Sequence, residues 1–116
     1  DMREIYEASK SGNERATLTI DAVCHRFKKY VGAYSAIMEG IDVLVFSGGV
    51  GQNAYYIREK VCKGLEYMGI ELDDYKNENN ESIISKDSSK VKIIVVNANE
   101  EKIIAEDTYK IVTTNS

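Results

Sequence analysis

Chemistry in this chain is concentrated in Ser47-Gly48-Gly49-Val50-Gly51-Gln52-Asn53, where an apolar run meets three glycines within four positions. Glycines there let the backbone turn sharply and let a ligand lie against it. A helical pattern follows, so strand, glycine loop and helix occur in the order that presents backbone N–H groups and a positive helix end to a phosphate or nucleotide. No Gly-Lys-Ser/Thr follows, so this is not a Walker A loop. The spacing G-G-x-G is not the dinucleotide fingerprint either. The bland reading is a tight turn in an ordinary α/β domain. A second group sits at Asn97-Ala-Asn-Glu-Glu101. The carboxylates of Glu100 and Glu101 suit Mg²⁺, and they equally suit the positive end of a helix dipole. Arg58, one turn into the helix after the glycine loop, can stack on a base or be solvated. His25 is the only histidine, which excludes a multi-histidine metal site; beside an apolar stripe it reads as a satisfied structural histidine. Cys24 and Cys62 lack CxxC spacing and read as buried, reduced thiols.

These residues need a scaffold. Val43 to Phe46 reads as a buried strand. After Asn53, the positions Ile57, Val61, Leu65 and Met68 fall on one face of a helix that closes at Gly69. Upstream, residues 1–12 are polar, with Gly12 as a breaker and Asn13 as the N-cap of a long amphipathic helix reaching Met38. Its apolar positions are Ile20, Val23, Phe27, Tyr30, Val31, Tyr34, Ile37 and Met38. Gly32 inside it suggests close packing, and Gly40 is the expected C′ residue. Downstream come a short extended stretch at Ile70 to Leu72, a solvated loop over 73–82 and a brief edge strand at Ile83 and Ile84. A turn from Lys86 to Lys90 precedes a second clear strand from Val91 to Val96. Asn99 then caps a last helix with Ile103, Ile104, Ile111 and Val112 on its apolar side, and Thr113–Ser116 should fray. The order predicts an α/β fold with parallel strands joined by a right-handed crossover. Two strong strands are too few for a stable sheet, so its remaining strands are expected in sequence absent here. Both loops leave the carboxyl ends of parallel strands and should face one crevice, where ligands bind.

The 116 residues, 43% hydrophobic and 29% charged, suit one domain. The net charge of −4 and the lack of a basic patch argue against nucleic acid as a partner. Nothing approaches a membrane span. The chain begins at Asp1 with no basic–apolar leader, and so reads as a segment of a longer protein.

Asp1-Met-Arg3, Gly12-Asn-Glu-Arg-Ala16, Val31-Gly-Ala-Tyr34, Val45-Phe-Ser-Gly-Gly-Val-Gly-Gln-Asn53, Ile57-Arg58 and Asn99-Glu-Glu101 together resemble the C-terminal part of the acetate kinase family, from Asp1 to about Val112. The resemblance implies a fragment of a ribonuclease H-like, actin-like ATPase domain over residues 1–116. It implies cytoplasmic homodimers that move the γ-phosphoryl group of ATP to acetate, giving acetyl phosphate and ADP, with Mg²⁺. By the same resemblance Gly49, Val50, Gly51 and Asn53 belong to the adenosine-binding loop, and Ile57 and Arg58 flank the adenine pocket. Asp1 and Arg3 line the nucleotide site, and Glu100, beside Glu101, helps hold Mg²⁺. The family usually has Glu where this chain has Gln52, and Thr where it has Ser47; Gln52 keeps hydrogen-bonding capacity and loses a charge. The acyl-phosphate chemistry of the family relies on asparagine, arginine, histidine and aspartate residues upstream of Asp1. The resemblance therefore implies no catalytic residue in this chain and no turnover by the chain alone.

Two alternatives stand beside this reading. One is a non-catalytic α/β interaction module that dimerises through its long helix. The other, within the family, is a propionate or butyrate kinase.

Overall fold

A computed structural model of the chain describes residues 2–48, 54–96 and 110–115. Strand β1, Val43–Ser47, is buried at all five positions. A strand covered on both faces reads as an unbroken apolar run, which is what Val-Leu-Val-Phe supplies. It pairs in parallel with β2, Lys92–Val95, placing Phe46 opposite Val95. On its other side it pairs in parallel with β3, Ile111–Asn115, placing Val43 opposite Ile111 and Phe46 opposite Thr114. The order is β2-β1-β3, so β1 is central. The fold is thus the expected α/β arrangement of parallel strands with flanking helices.

Strand β3 corrects two expectations. Ile111 and Val112 are strand residues, not the apolar side of a last helix, and Thr113 and Thr114 continue the ladder instead of fraying. The β-branched run Ile-Val-Thr-Thr has high strand propensity, and the second edge of β1 offers it a partner. Thr114 is 1% exposed and donates its hydroxyl to the Val45 carbonyl at 3.3 Å. A third strand therefore comes from within the chain. The last helix expected from Asn99 lies outside the described residues.

The polar stretch before Gly12 forms a helix, α1, Met2–Lys10. None of its residues is fully buried, but Met2, Ile5 and Tyr6 pack against the core. It turns at Gly12 into α2, Glu14–Ile37, and the Asn13 carboxamide accepts from the Ala16 N–H at 3.0 Å, the cap its position predicts. Helix α2 ends one residue earlier than expected. Glu39 (φ +57) is the left-handed C′ residue, and Gly40 follows it, donating its N–H to the Ser35 carbonyl at 2.8 Å in a Schellman closure. The core face of α2 is also narrower than its apolar positions suggested. Ala16, Ile20, Cys24 and Val31 are buried, whereas Tyr30, Tyr34 and Ile37 are exposed. Ile20, Cys24 and Val31 belong to the main core cluster, and the tyrosines lie outside it. A Cβ at Gly32 would touch nothing within 4 Å, so close packing is not its reason. His25 is exposed on α2 and is not a core histidine.

Helix α3, Tyr55–Cys62, is shorter than the single helix predicted to Gly69. The chain breaks at Lys63 and Gly64, and one 3₁₀ turn, Glu66–Met68, follows. Ile57, Val61 and Leu65 still reach the core, so the apolar spacing survives the break. The segment expected as a solvated loop holds a short helix α4, Asp74–Glu78, capped by the Asp73 carboxylate on the Lys76 N–H at 2.9 Å. Ile83 forms an antiparallel bridge to Ile94, and Ile84 donates its N–H to the Ile93 carbonyl, so the brief edge segment sits along β2. The sheet divides its side chains by pleat. Leu44, Phe46, Ile93 and Val112 join Ile20, Ile57 and Val61 in the main core; Val43, Val45 and Val96 form a smaller cluster with Ile94 and Ile111.

Both thiols are free and buried, as expected. Burial pushes Cys24 up to about 11 and Cys62 up to about 12 from an ordinary value near 9. The neutral thiol is thus the form the fold favours. The stability it contributes is complete below about pH 9 and is lost as pH rises through these elevated values. Ellman's reagent at pH 8 is expected to leave both unreacted in the native state and to titrate both in urea. Rapid native labelling would contradict their burial.

Candidate functional site

Ser47 ends β1 fully buried, and Gly48 follows at φ +67, a left-handed conformation that glycine adopts without strain. Because β1 and β2 are parallel, their carboxyl ends lie on the same side, and the Val96 N–H donates to the Phe46 carbonyl at 2.9 Å there. The loop residues Gly49, Val50, Gly51 and Asn53 lie outside the described residues, as do Asp1, Glu100 and Glu101.

Helix α3 begins directly after the loop. Its N-cap, Ala54, has no side chain to satisfy the first N–H groups. Two polar or aromatic devices hold this end instead. The first is a tyrosine clamp. Tyr6 on α1 stacks on Tyr56 with ring centroids 3.8 Å apart and planes 3° from parallel, and meets Tyr55 edge-on at 6.4 Å. A hydrogen bond with the Tyr55 side chain, together with burial, pushes the Tyr6 phenol up to about 12. Arg3 is exposed on α1, close enough for its charge to act on Tyr56, whose phenol burial pushes up. The clamp thus brings the Arg3 helix against the start of α3. Nothing in the chain's periodicity singled out these tyrosines; the adjacent Tyr55-Tyr56 pair was the available signal.

The second device centres on Arg58. It is fully buried, which excludes the solvated alternative. Its Nε donates to Asn77 Oδ1 at 2.7 Å, and its Nη2 donates to the Asn77 carbonyl at 3.0 Å and to Asn80 Oδ1 at 2.6 Å. Burial pushes the guanidinium down to about 10, so it stays charged at neutral pH. Asn77, 1% exposed, also donates from Nδ2 to the Tyr55 carbonyl at 2.9 Å. Neither asparagine stood out in the sequence, where both belong to a polar stretch. Ile57 is buried in the main core beside this network.

Among the described residues, no group of three His, Cys, Asp or Glu side chains gathers as a metal site. Mg²⁺ takes oxygen ligands and commonly keeps several waters and phosphate oxygens, needing only one or two carboxylates. In donor chemistry Glu100, with Glu101 next to it, matches that requirement. A groove of about 550 Å³ opens at the other, amino-terminal end of β1, between Asp42, Val43, Ile83, Lys86 and Lys90, away from the glycine loop. Among the described residues no helix is long and apolar enough to cross a membrane.

The model of the acetokinase family matches residues 1–106. An acetate kinase of Porphyromonas gingivalis is 57% identical over 114 residues, covering 96% of this chain and 29% of that protein. The crystal structure of an acetate kinase from Porphyromonas gingivalis superposes with a TM-score of 0.80 at 56% identity, over 93% of this chain and 28% of that one. A propionate kinase from Francisella tularensis superposes at 0.78 with 38% identity, over 91% of this chain and 27% of that one. The chain therefore spans less than a third of the length of the relatives it matches.

Proposed function

The chain belongs to the acetokinase family, and from that premise we propose that it carries the adenosine side of the ATP site of an acetate kinase, within the C-terminal nucleotide-binding domain. The observation that carries the reading is the position of the glycine stretch. It leaves the carboxyl end of the central strand of a parallel sheet and runs into a helix, where α/β folds bind ligands. In this reading Gly49, Val50, Gly51 and Asn53 lie against adenosine, with Asp1 and Arg3 at its margin. Ile57 and Arg58, in the first turn of α3, flank the adenine pocket. Glu100 holds Mg²⁺, which neutralises charge on the phosphate oxygens when bound.

The reaction joins a carboxylate oxygen of acetate to the γ-phosphorus of ATP. The bond from that phosphorus to the β,γ-bridging oxygen breaks, leaving acetyl phosphate and ADP. Phosphoryl transfer is mainly positioning and charge stabilisation. This chain positions the nucleotide, and the groups that clamp the acyl phosphate belong to sequence upstream of Asp1. The enzyme is proposed to be a cytoplasmic homodimer without membrane or nucleic-acid partners.

A propionate kinase is the second reading, favoured by the 38% identity and close superposition with the Francisella protein. Hydroxylamine trapping tests both. The enzyme that contains this chain is expected to give acyl hydroxamate with acetate, Mg²⁺ and ATP, whereas the 116-residue chain alone gives none. A higher kcat/KM with propionate or butyrate would reassign the acyl substrate. Turnover by the isolated chain would refute the division of labour, and a failure of the enzyme to bind ATP would favour a pure interaction module.

A further inference from the structure

The helix that receives the glycine loop is eight residues long and starts without a side-chain cap. Short helices of this kind are marginal unless packing or hydrogen bonds hold them. A ligand loop is only as well placed as the elements at its two ends. At the β1 end the ladder provides the anchor, with pairing on both sides of Phe46. At the α3 end, one side chain spans the first turn. Asn77 Nδ2 donates to the Tyr55 carbonyl at 2.9 Å while its Oδ1 accepts from Arg58 Nε at 2.7 Å.

We propose that Asn77 is a positioning residue for the nucleotide site, fixing the first turn of α3, the helix that follows the glycine loop. The proposal rests on the reading of that loop as the adenosine site. Three features separate this role from ordinary packing. The amide presents a donor and an acceptor at once, and each reaches a different residue, Tyr55 and Arg58, within one turn of α3. Asn77 is itself held rigid: its N–H donates to the Asp73 carbonyl at 2.9 Å within a helix that Asp73 caps. Its carbonyl and Asn80 Oδ1 both accept from Arg58 Nη2, so the guanidinium is locked as the second pin. All of this occurs where Arg58 and Asn77 are 0% and 1% exposed, and a buried network of this kind strongly favours one geometry.

The test uses the full-length enzyme and the variant Asn77→Asp. Aspartate keeps an acceptor for Arg58 but offers the Tyr55 carbonyl a second acceptor in place of a donor. The expected result is a KM for ATP raised about fivefold or more, with the KM for acetate within about twofold of the parent enzyme. A purely structural role would lower the melting temperature and the active fraction without moving either KM. An unchanged KM for ATP therefore overturns the proposal whatever happens to stability. If Asn77→Asp cannot be purified, Asn80→Gly takes its place. It removes one bond to Arg58 at an exposed position whose φ of +51 suits glycine, and it should raise the KM for ATP about twofold. No rise there also overturns the proposal. Gly51→Val is run in parallel to separate the two readings. If it leaves the KM for ATP unchanged, the adenosine-site reading fails. If it raises that KM while the asparagine variants do not, only the role of Asn77 fails.

Discussion

Phe46→Ala will cost the protein about 3–5 kcal/mol of folding stability. Phe46 is fully buried on the central strand, with Val95 on one side and Thr114 on the other. Its ring belongs to the main cluster with Ile20, Ile57 and Val61, which joins the sheet to α2 and α3. Truncation removes the transfer free energy of the ring and leaves a cavity that a strand paired on both edges cannot collapse to fill. Domains of this size are stable by about 5–15 kcal/mol, so the loss is a large share of the total. Urea unfolding should show a lower midpoint at an unchanged slope. Ile37→Ala is the contrast: Ile37 is 76% exposed, and its removal should cost less than about 0.5 kcal/mol. Equal losses at the two positions would mean that the core is not where β1 places it.

Gly51→Val in the full-length enzyme is expected to weaken ATP binding about 100-fold or more while the fold survives. The loop leaves a buried strand at Ser47, passes the left-handed Gly48, and must enter a helix at Tyr55. In the adenosine-site reading, the missing side chains are what let the nucleotide lie against the backbone. A β-branched side chain occupies that space. If the position is left-handed it also adds strain of about 1–3 kcal/mol, which a large domain survives. A factor of 100 in affinity is about 2.8 kcal/mol, so binding should suffer more than folding. Calorimetric titration with ATP beside a melting curve of the same variant decides the matter. A variant that binds ATP normally would make the loop a structural turn and leave the function resting on family membership alone.

What could be read directly was whatever short-range chemistry decides. The β-branched run at Val43 to Phe46, the Asn13 cap three residues before Ala16, and the burial of Cys24 and Cys62 follow from propensity, capping geometry and apolar spacing within a few residues. The family resemblance was legible for a similar reason, since the order of its motifs along the chain is itself the signal. The tertiary structure decided matters that depend on distant partners. Ile111 and Val112 fit a helical stripe as well as a strand, and the open edge of β1, some 68 residues earlier in register, selects the strand. Tyr30 and Tyr34 satisfy the periodicity of α2, but the arc buried in the main core runs through Ile20, Cys24 and Val31. Residues 2–10 carry weak apolar signals; Tyr6 finds Tyr55 and Tyr56, and α1 gains the contact that a short helix needs. Asn77 lies in a stretch whose composition reads as solvent-exposed. It is buried because Arg58, nineteen residues away, supplies a donor that a buried amide can satisfy. Hydrogen-bond complementarity between distant polar groups leaves no periodic trace in a sequence, and only the folded chain brings donor and acceptor together.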